Sequence, residues 1–339
     1  MRILNLEGLA FVPTFRGLGH EVLSLGPSQA CDIPLTEPLS TRTLWAILDE
    51  RGFRPDLAFW CDLCRPPWVM GLETLPGAVI GFSVDQYCNP WHVPYSAGFD
   101  AVLVAQRDYL HLFQDPRLPR PAQWFPLFCD PEMDFDHGAE RDVPVSFVGT
   151  LDPPMNPGRK PFLEAFRRAA PLVTMHGRYA PLFGRSRMVL NQSAVGELNY
   201  RLFQAMSCGA AVLTEAVENG LDALFTDGED LLLYPRGDAR EASRIALSAL
   251  DSPLLAEVAA CGQQKARRLH SVQARARHVL ALATALLHSG APTWRRENAA
   301  LVREETARAY AMLAADAALP LPGETRRHFA DAALRLATL

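Results

Sequence analysis

Between residues 145 and 210 the sequence gathers cations and glycines where a phosphorylated ligand is commonly held. Val145-Ser-Phe-Val-Gly149-Thr150 reads as a strand ending in Gly-Thr, where backbone can approach a ligand closely. Arg159 and Lys160 open the helix that follows, placing two cations near its positive end and marking a diphosphate site. His176-Gly177-Arg178 follows the next strand, Arg187 precedes another, and Arg201 lies on a further helix. Each has a duller explanation when taken singly; Arg187 reads as a solvated surface residue. Cys61-Asp-Leu-Cys64 is a lone CxxC without a second pair, so it predicts two half-buried thiols near a strand end and no metal site.

These side chains need elements to position them. In GELNYRLFQAMSCGAAVLTE, Gly196 to Glu215, Leu198, Leu202 and Met206 recur every four residues as an apolar helical stripe. Gly196 supplies the entry turn, Glu197 suits the positive helix end, and Gly209 suits a left-handed C-terminus. Glu197, Arg201 and Gln204 then fall at i, i+4 and i+7 on one face. Ala210 to Thr214 reads as a strand covered on both sides. Loop, helix and strand in such succession predict an α/β layer fold, whose ligands sit beyond the carboxyl ends of the strands.

The same alternation runs along most of the chain. Arg2–Leu6, Glu21–Leu25, Leu57–Trp60, Ala78–Phe82 and Ala101–Val104 read as strands, with helices over Arg42–Arg51 and Tyr109–Gln114. A second series begins at Val145–Val148, continues with a helix over Pro161–Ala170, and adds strands at Leu172–Met175 and Met188–Leu190. A Pro-, Asp- and Gly-rich stretch from Pro126 to Gly138 separates the two series. The expectation is two Rossmann-like domains facing a cleft, over residues 1–140 and 141–290. Helices over Ala239–Leu250, Leu254–Leu269 and Ala274–Leu287 close the second series. Residues 291–339 read as a helical hairpin broken at Leu319-Pro-Leu-Pro-Gly323, bracing the second domain or packing back on the first.

Composition is that of an ordinary globular chain: 339 residues, 49% hydrophobic and 21% charged. A net charge of −5 with no basic run argues against nucleic acid as a partner. No apolar run reaches the roughly 18 residues of a transmembrane segment. MRILNLEGLAF has too short an apolar run for a secretion signal, and seven scattered cysteines suit a reducing cytoplasm.

The stretch SFVGT…NPGRKPFLEAF…MHG…RMVLNQS…GELNYRLFQAMSCGAAVLTE…NGLDALFTDGEDLLLY resembles the second half of GT-B glycosyltransferases of the group 1-like kind. It is closest to the branch of CgeB-like proteins, through Asn199 to Ala210 and Leu224 to Glu229. The resemblance is specific over about residues 145 to 235 and does not cover the tail. In the first domain FSVDQY…FDAVLVAQRDYLHLF and WFPLFCDP look like the same branch's acceptor half.

The resemblance implies a glycosyltransferase. The second domain would hold a nucleotide-sugar donor, a UDP-sugar favoured, and the first an unidentified acceptor (glycan, lipid, small molecule or protein). GT-B enzymes usually need no metal and no further cofactor, their diphosphate being offset by Arg, Lys and a helix N-terminus. By that analogy Gly149, Thr150, Arg159, Lys160, His176 and Gly177 would face the donor, and Asn199 and Arg201 would sit by its phosphates or sugar. The loop Ala216 to Leu221, with Asn219 and Gly220, would approach it. Gln204 stands where the family commonly carries a Glu for the ribose hydroxyls; it keeps one acceptor oxygen without charge. A second Glu, eight residues earlier in retaining relatives, is Gly196 here, with Glu197 one step on, so retention or inversion stays open. An inverting reaction needs a base, and SVDQYCNPWH offers Asp85 and His92, with Asp62 a third candidate. Asp85 reads equally as a turn cap and His92 as a packed histidine. Gly17 and Gly19 before His20 read either as a glycine loop facing the donor or as a turn. The alternatives are an inactive GT-B scaffold whose helical tail binds a protein partner, and a sugar-nucleotide epimerase.

Overall fold

The computed structural model describes residues 1–151 and 156–338. The chain opens with β1 (Arg2–Glu7), α1 (Val12–Gly17), β2 (Glu21–Gly26), β3 (Ile33–Pro34) and α2 (Thr41–Glu50). It continues with β4 (Leu57–Cys61), β5 (Ala78–Ser83), α3 (His92–Tyr95), β6 (Ala101–Val104) and β7 (Ala122–Trp124). These strands form one sheet in the order β3-β2-β1-β4-β5-β6-β7, every neighbouring pair parallel. Parallel strands demand crossovers that cover both sheet faces, which is why β4 and β5 are buried at every position.

The second series comprises β8 (Val143–Val148), α4 (Arg159–Arg167), β9 (Val173–Met175), α5 (Ala180–Arg185) and β10 (Ser186–Asn191). After these come α6 (Tyr200–Ser207), β11 (Ala211–Glu215), α7 (Leu221–Leu224), β12 (Leu232–Tyr234), α8 (Ala239–Leu250) and α9 (Leu255–Leu269). Its sheet runs β12-β11-β10-β8-β9, again parallel throughout. β11 is buried at all five positions, Thr214 and Glu215 included. The chain ends with α10 (Val272–Ser289), α11 (Ala291–Glu297), α12 (Ala299–Ala315) and α13 (Gly323–Ala337). No single helix among the described residues is long and apolar enough to cross a membrane.

The chain forms two Rossmann-like α/β units of the GT-B kind with a helical C-terminal region, but the boundaries differ from the expected 1–140, 141–290 and 291–339. One unit is Met1–Phe125 together with Ala276–Leu339; the other is Pro126–Arg275. The first boundary moves upstream because the stretch after Phe125 is tied to the second unit. The Cys129 amide donates to the His270 carbonyl at 2.9 Å and the Val272 amide to the Cys129 carbonyl at 2.8 Å. The second boundary falls inside α10, where no Pro or Gly marks it. The tail is not a domain of its own: Tyr310, Leu313 and Phe329 join the core of the first unit beside Tyr95 and Phe99. Arg295, 2% exposed, locks α11 in place, donating to Asp100 Oδ2 at 2.6 Å and to the carbonyls of Leu75 and Gly77 at 2.5 and 3.1 Å. A buried guanidinium held by three acceptors is costly to disturb, since losing one partner strands a charge.

Three short strands, β3, β7 and β12, were not expected; two or three residues are too few for a periodic pattern. The helix expected over Tyr109–Gln114 is a 3-10 helix over Arg107–Phe113. Gly17 and Gly19 close α1 as a turn: the Gly19 amide donates to the Arg16 carbonyl, and φ at Gly19 is +83°. That turn leads into the amino end of β2, so it is not a loop at the ligand end of the sheet.

Candidate functional site

In the second sheet the strand order reverses between β8 and β10, and the position beyond the carboxyl ends of these strands is where such folds hold ligands. Arg201, one residue into α6, bridges that point. Its Nε donates to the carbonyl of Val148, the last residue of β8, at 2.7 Å, and its Nη1 to Asn191 Oδ1, at the end of β10, also at 2.7 Å. Its guanidinium lies 4.3 Å from the centroid of the buried Phe147 ring. Arg159, at the start of α4, packs on the same ring at 5.5 Å. It donates to Gln192 Oε1 and to the Thr150 carbonyl, each at 2.9 Å.

Neither arginine has a carboxylate partner among the described residues. Burial, and then the charge of Arg159, pull the Arg201 guanidinium down to about 9; burial lowers Arg159 as well. Two cations held close by neutral acceptors make a site that gains from an incoming anion. Gly149 belongs here for a steric reason: a Cβ there would meet Arg201 Nη2 at 2.5 Å and the Phe147 ring at 3.2 Å.

The remaining predicted donor residues divide. Thr150 is exposed and contributes its carbonyl to Arg159, and Lys160 stands exposed in the first turn of α4. His176 and Gly177 are exposed beyond β9, with φ of +100° at Gly177. Asn219, 2% exposed, and Gly220, with φ of +83°, form the turn between β11 and α7. Asn199 is the N-cap of α6, yet its side chain does not cap the helix, and its buried Oδ1 meets no donor among the described residues. A ligand hydroxyl or amide would satisfy that oxygen.

One expectation fails. The helix begins at Tyr200, not Gly196, so Glu197 does not share a helical face with Arg201 and Gln204. Gly196 has φ of +94° in the preceding loop, and the Glu197 carboxylate accepts from the amides of Ala194 and Val195 at 2.8–2.9 Å. The helix waits for Asn199 because the loop's amides are already satisfied by that carboxylate. Arg187 sits near the amino end of β10 and donates to the Leu250 carbonyl at 2.6 Å, away from the arginine pair. Gln204 does not face bulk solvent: its Nε2 donates to the Tyr179 hydroxyl at 2.9 Å, which donates to Asp134 Oδ1 at 2.6 Å.

The residues that hold the pair, Asn191 and Gln192, were missed, although the abrupt change from apolar MVL to NQS at the end of β10 signals them. Beside them Ser193 donates from its amide and its hydroxyl to buried Glu215, at 3.1 and 2.7 Å.

In the first sheet the order reverses between β1 and β4, and there the charges are acidic. Glu7 ends β1 fully buried, with φ of +71°, and its Oε1 accepts the Trp68 amide at 2.8 Å. Burial pushes its carboxyl up to about 8, so it is largely protonated at neutral pH. Asp62, just past β4, accepts the amides of Cys64 at 2.7 Å and Val84 at 3.0 Å. Asp85 is half-buried and accepts from the Cys64 thiol at 2.6 Å and the Tyr87 hydroxyl at 3.0 Å. Burial and Asp62 hold the Cys64 thiol well above its ordinary range, which keeps it a thiol and a donor. His92 is 1% exposed, bonded to Ser83 Oγ at 2.8 Å and walled by Trp60 and Trp91. Burial lowers its basicity, as suits the packed histidine that was the second reading of this position.

Residues 158–281 match the model of a family described as glycosyl transferase-like. No curated protein sequence matches the chain. Among solved structures, a glycosyltransferase from Rickettsia africae superposes with a TM-score of 0.63 at 9% identity, covering 84% of this chain and 98% of that one. The HepE protein of Anabaena, solved in complex with UDP-glucose, gives 0.62 at 13% identity over 84% and 100%. A sucrose-phosphate synthase from Thermosynechococcus elongatus gives 0.61 at 12% over 85% and 100%. At these identities the likeness is one of fold.

Proposed function

We propose that the chain is a glycosyltransferase that holds a nucleotide-diphosphate sugar, a UDP-sugar by preference, in its second unit and transfers the sugar to an acceptor bound by the first. The observation that carries this reading is the Arg159–Arg201 pair on Phe147, at the strand-order reversal and without a carboxylate partner among the described residues. The family match spans both arginines, and the UDP-glucose complex of HepE supports the choice of donor. On the motifs at Asn199 to Ala210 and Leu224 to Glu229 we place the chain nearest the CgeB-like branch.

Arg159 and Arg201 would offset the diphosphate as sugar and nucleotide separate, which is transition-state charge stabilisation from preset donors. Asn199, the β11–α7 turn and the His176-Gly177 loop would border the sugar and nucleoside. With charge neutralised by protein groups, no metal is required. Asp85 is the acceptor-side base we favour, since it is the least buried member of the acidic group. Calorimetric titration with UDP and GDP, followed by release of UDP from UDP-glucose with and without EDTA, tests the reading. UDP binding with EDTA-resistant turnover is expected. Absence of nucleotide binding overturns it; binding without turnover against any acceptor favours the inactive scaffold.

A further inference from the structure

Arg236 follows β12, beyond the carboxyl ends of the second sheet, and the local sequence fixes it there. Pro235-Arg-Gly-Asp238 closes a turn, the Asp238 amide donating to the Pro235 carbonyl at 3.0 Å. Gly237, third in that turn, takes a φ of +77°, which glycine adopts without steric cost. Its amide donates to Glu215 Oε1, at the end of β11, at 3.3 Å and ties the turn to the sheet. Asp238 then caps α8, its Oδ1 accepting the Glu241 amide at 2.9 Å.

The Arg236 side chain lies across the loop that precedes α6. A Cβ on Gly196 would meet Arg236 Nη1 at 3.1 Å, Cζ at 3.4 Å and Nη2 at 3.7 Å, so the guanidinium takes the space a larger residue would need. Asn219 Nδ2 donates to the Gly196 carbonyl at 3.4 Å, so the loops after β10, β11 and β12 meet at Gly196. Arg236 is exposed, and its side chain forms no ion pair among the described residues. Two acids of these loops are engaged elsewhere: Glu197 accepts the amides of Ala194 and Val195, and Glu215 those of Ser193 and Gly237.

The Arg159–Arg201 pair stands at the ends of β8 and β10, and the order β12-β11-β10-β8-β9 leaves a flank on either side of it. Beyond β9 come His176, Gly177 and Arg178; beyond β11 and β12 come the Asn219-Gly220 turn and Arg236. A nucleotide sugar is linear, so a diphosphate on the pair sends the nucleoside to one flank and the sugar to the other. Uridine is uncharged at neutral pH, which leaves a group on the sugar as the further anion such a donor can bring. β12 lies two strands from β10, on the order of 10 Å at the usual spacing, which leaves room for a sugar ring between the pair and Arg236.

On the reading of the second unit as a donor site, we propose that the sugar it holds is a uronic acid, its carboxylate taken by Arg236 on the β11–β12 flank. A guanidinium offers parallel N–H donors that match a carboxylate, whereas the hydroxymethyl of a neutral hexose leaves the charge unmatched.

The test is calorimetric titration of the full chain with UDP, UDP-glucose and UDP-glucuronate, beside the variants Arg236→Gln, Arg236→Lys and Arg178→Gln. The parent should bind UDP-glucuronate at least about tenfold tighter than UDP-glucose, the size of one charge-assisted contact. Arg236→Gln should bring the two nucleotide sugars to within about twofold with UDP affinity unchanged, and Arg236→Lys should keep part of the preference. Equal binding of the two by the parent, with UDP bound, would overturn the proposal and leave the donor reading standing. So would UDP affinity lost in Arg236→Gln, which marks a phosphate contact, or the preference lost in Arg178→Gln, which puts the sugar on the other flank. No UDP binding by the parent would overturn the donor reading, and the uronic acid with it.

Discussion

In both units the strand order reverses beside the first strand, and each reversal carries buried or half-buried charged side chains. In the first unit they are Glu7, Asp62 and Asp85; in the second they are Arg159 and Arg201. The two sets are satisfied differently. The carboxylates accept backbone amides, a thiol and a hydroxyl from their own loops, so the turns after β4 and β5 are built around them. The arginines donate to carbonyls and side-chain amides, which fix their geometry without cancelling their charge. Glu7 and Asp62 therefore hold the fold, and the basic set is poised for something from outside.

Substitutions can break or sharpen that contrast. The largest effect is expected from Asp62→Ala, which strips acceptors from the buried Val84 amide and from the Cys64 amide. At about 1–3 kcal/mol for each orphaned donor, denaturant melts should show several kcal/mol of lost stability. Nucleotide affinity of the folded fraction should not change; a loss there would move Asp62 into the binding machinery.

Glu7 sharpens the comparison through pH. Its carboxyl is raised from the ordinary range to about 8, so the folded chain keeps a proton that the unfolded chain releases. The stability gained from the protonated form is complete below about 4.5 and is lost as pH rises to about 8. Glu7→Gln should remove this dependence, so the gap between variant and parent should move in the variant's favour from pH 5 to 8. Parallel pH curves for the two proteins would contradict it.

A smaller effect is expected from Gly149→Ala, whose Cβ would push on Arg201 Nη2. UDP affinity should fall about three- to tenfold, at roughly 1 kcal/mol for one misplaced charge-assisted bond. Gln204→Leu should matter least: it removes one neutral hydrogen bond to Tyr179, and UDP affinity should drop no more than about fivefold. A loss as large as that of an arginine variant would make Gln204 the main ribose contact.

Much of this layout was legible in the sequence, because β1, β4, β5, β8 and β11 are short, mostly apolar runs of the kind that covered parallel sheets bury. Arg159 and Arg201 stood out as cations on helices between the strands. What stayed hidden depends on distant contacts. The tail's place in the first unit rests on Arg295 meeting Asp100, 195 residues away, which no local pattern reveals. The start of α6 was misplaced because Gly196 and Glu197 also suit a loop closed by a carboxylate on its own amides. Glu7 was unreadable because nothing in RILNLE predicts a buried acid with φ of +71°. The burial of His92 depends on Trp60, 32 positions earlier and on another strand.

The most direct test of the contrast is calorimetric titration of UDP into the parent protein and Arg201→Ala, with far-UV circular dichroism to confirm the fold. A hydrogen bond to a charged group is worth about 1.5–3 kcal/mol, so the variant should bind UDP tenfold or more weakly while keeping its spectrum. Equal UDP affinity in the two proteins would contradict the account, since the arginine pair would then be a structural feature like the acids of the first unit.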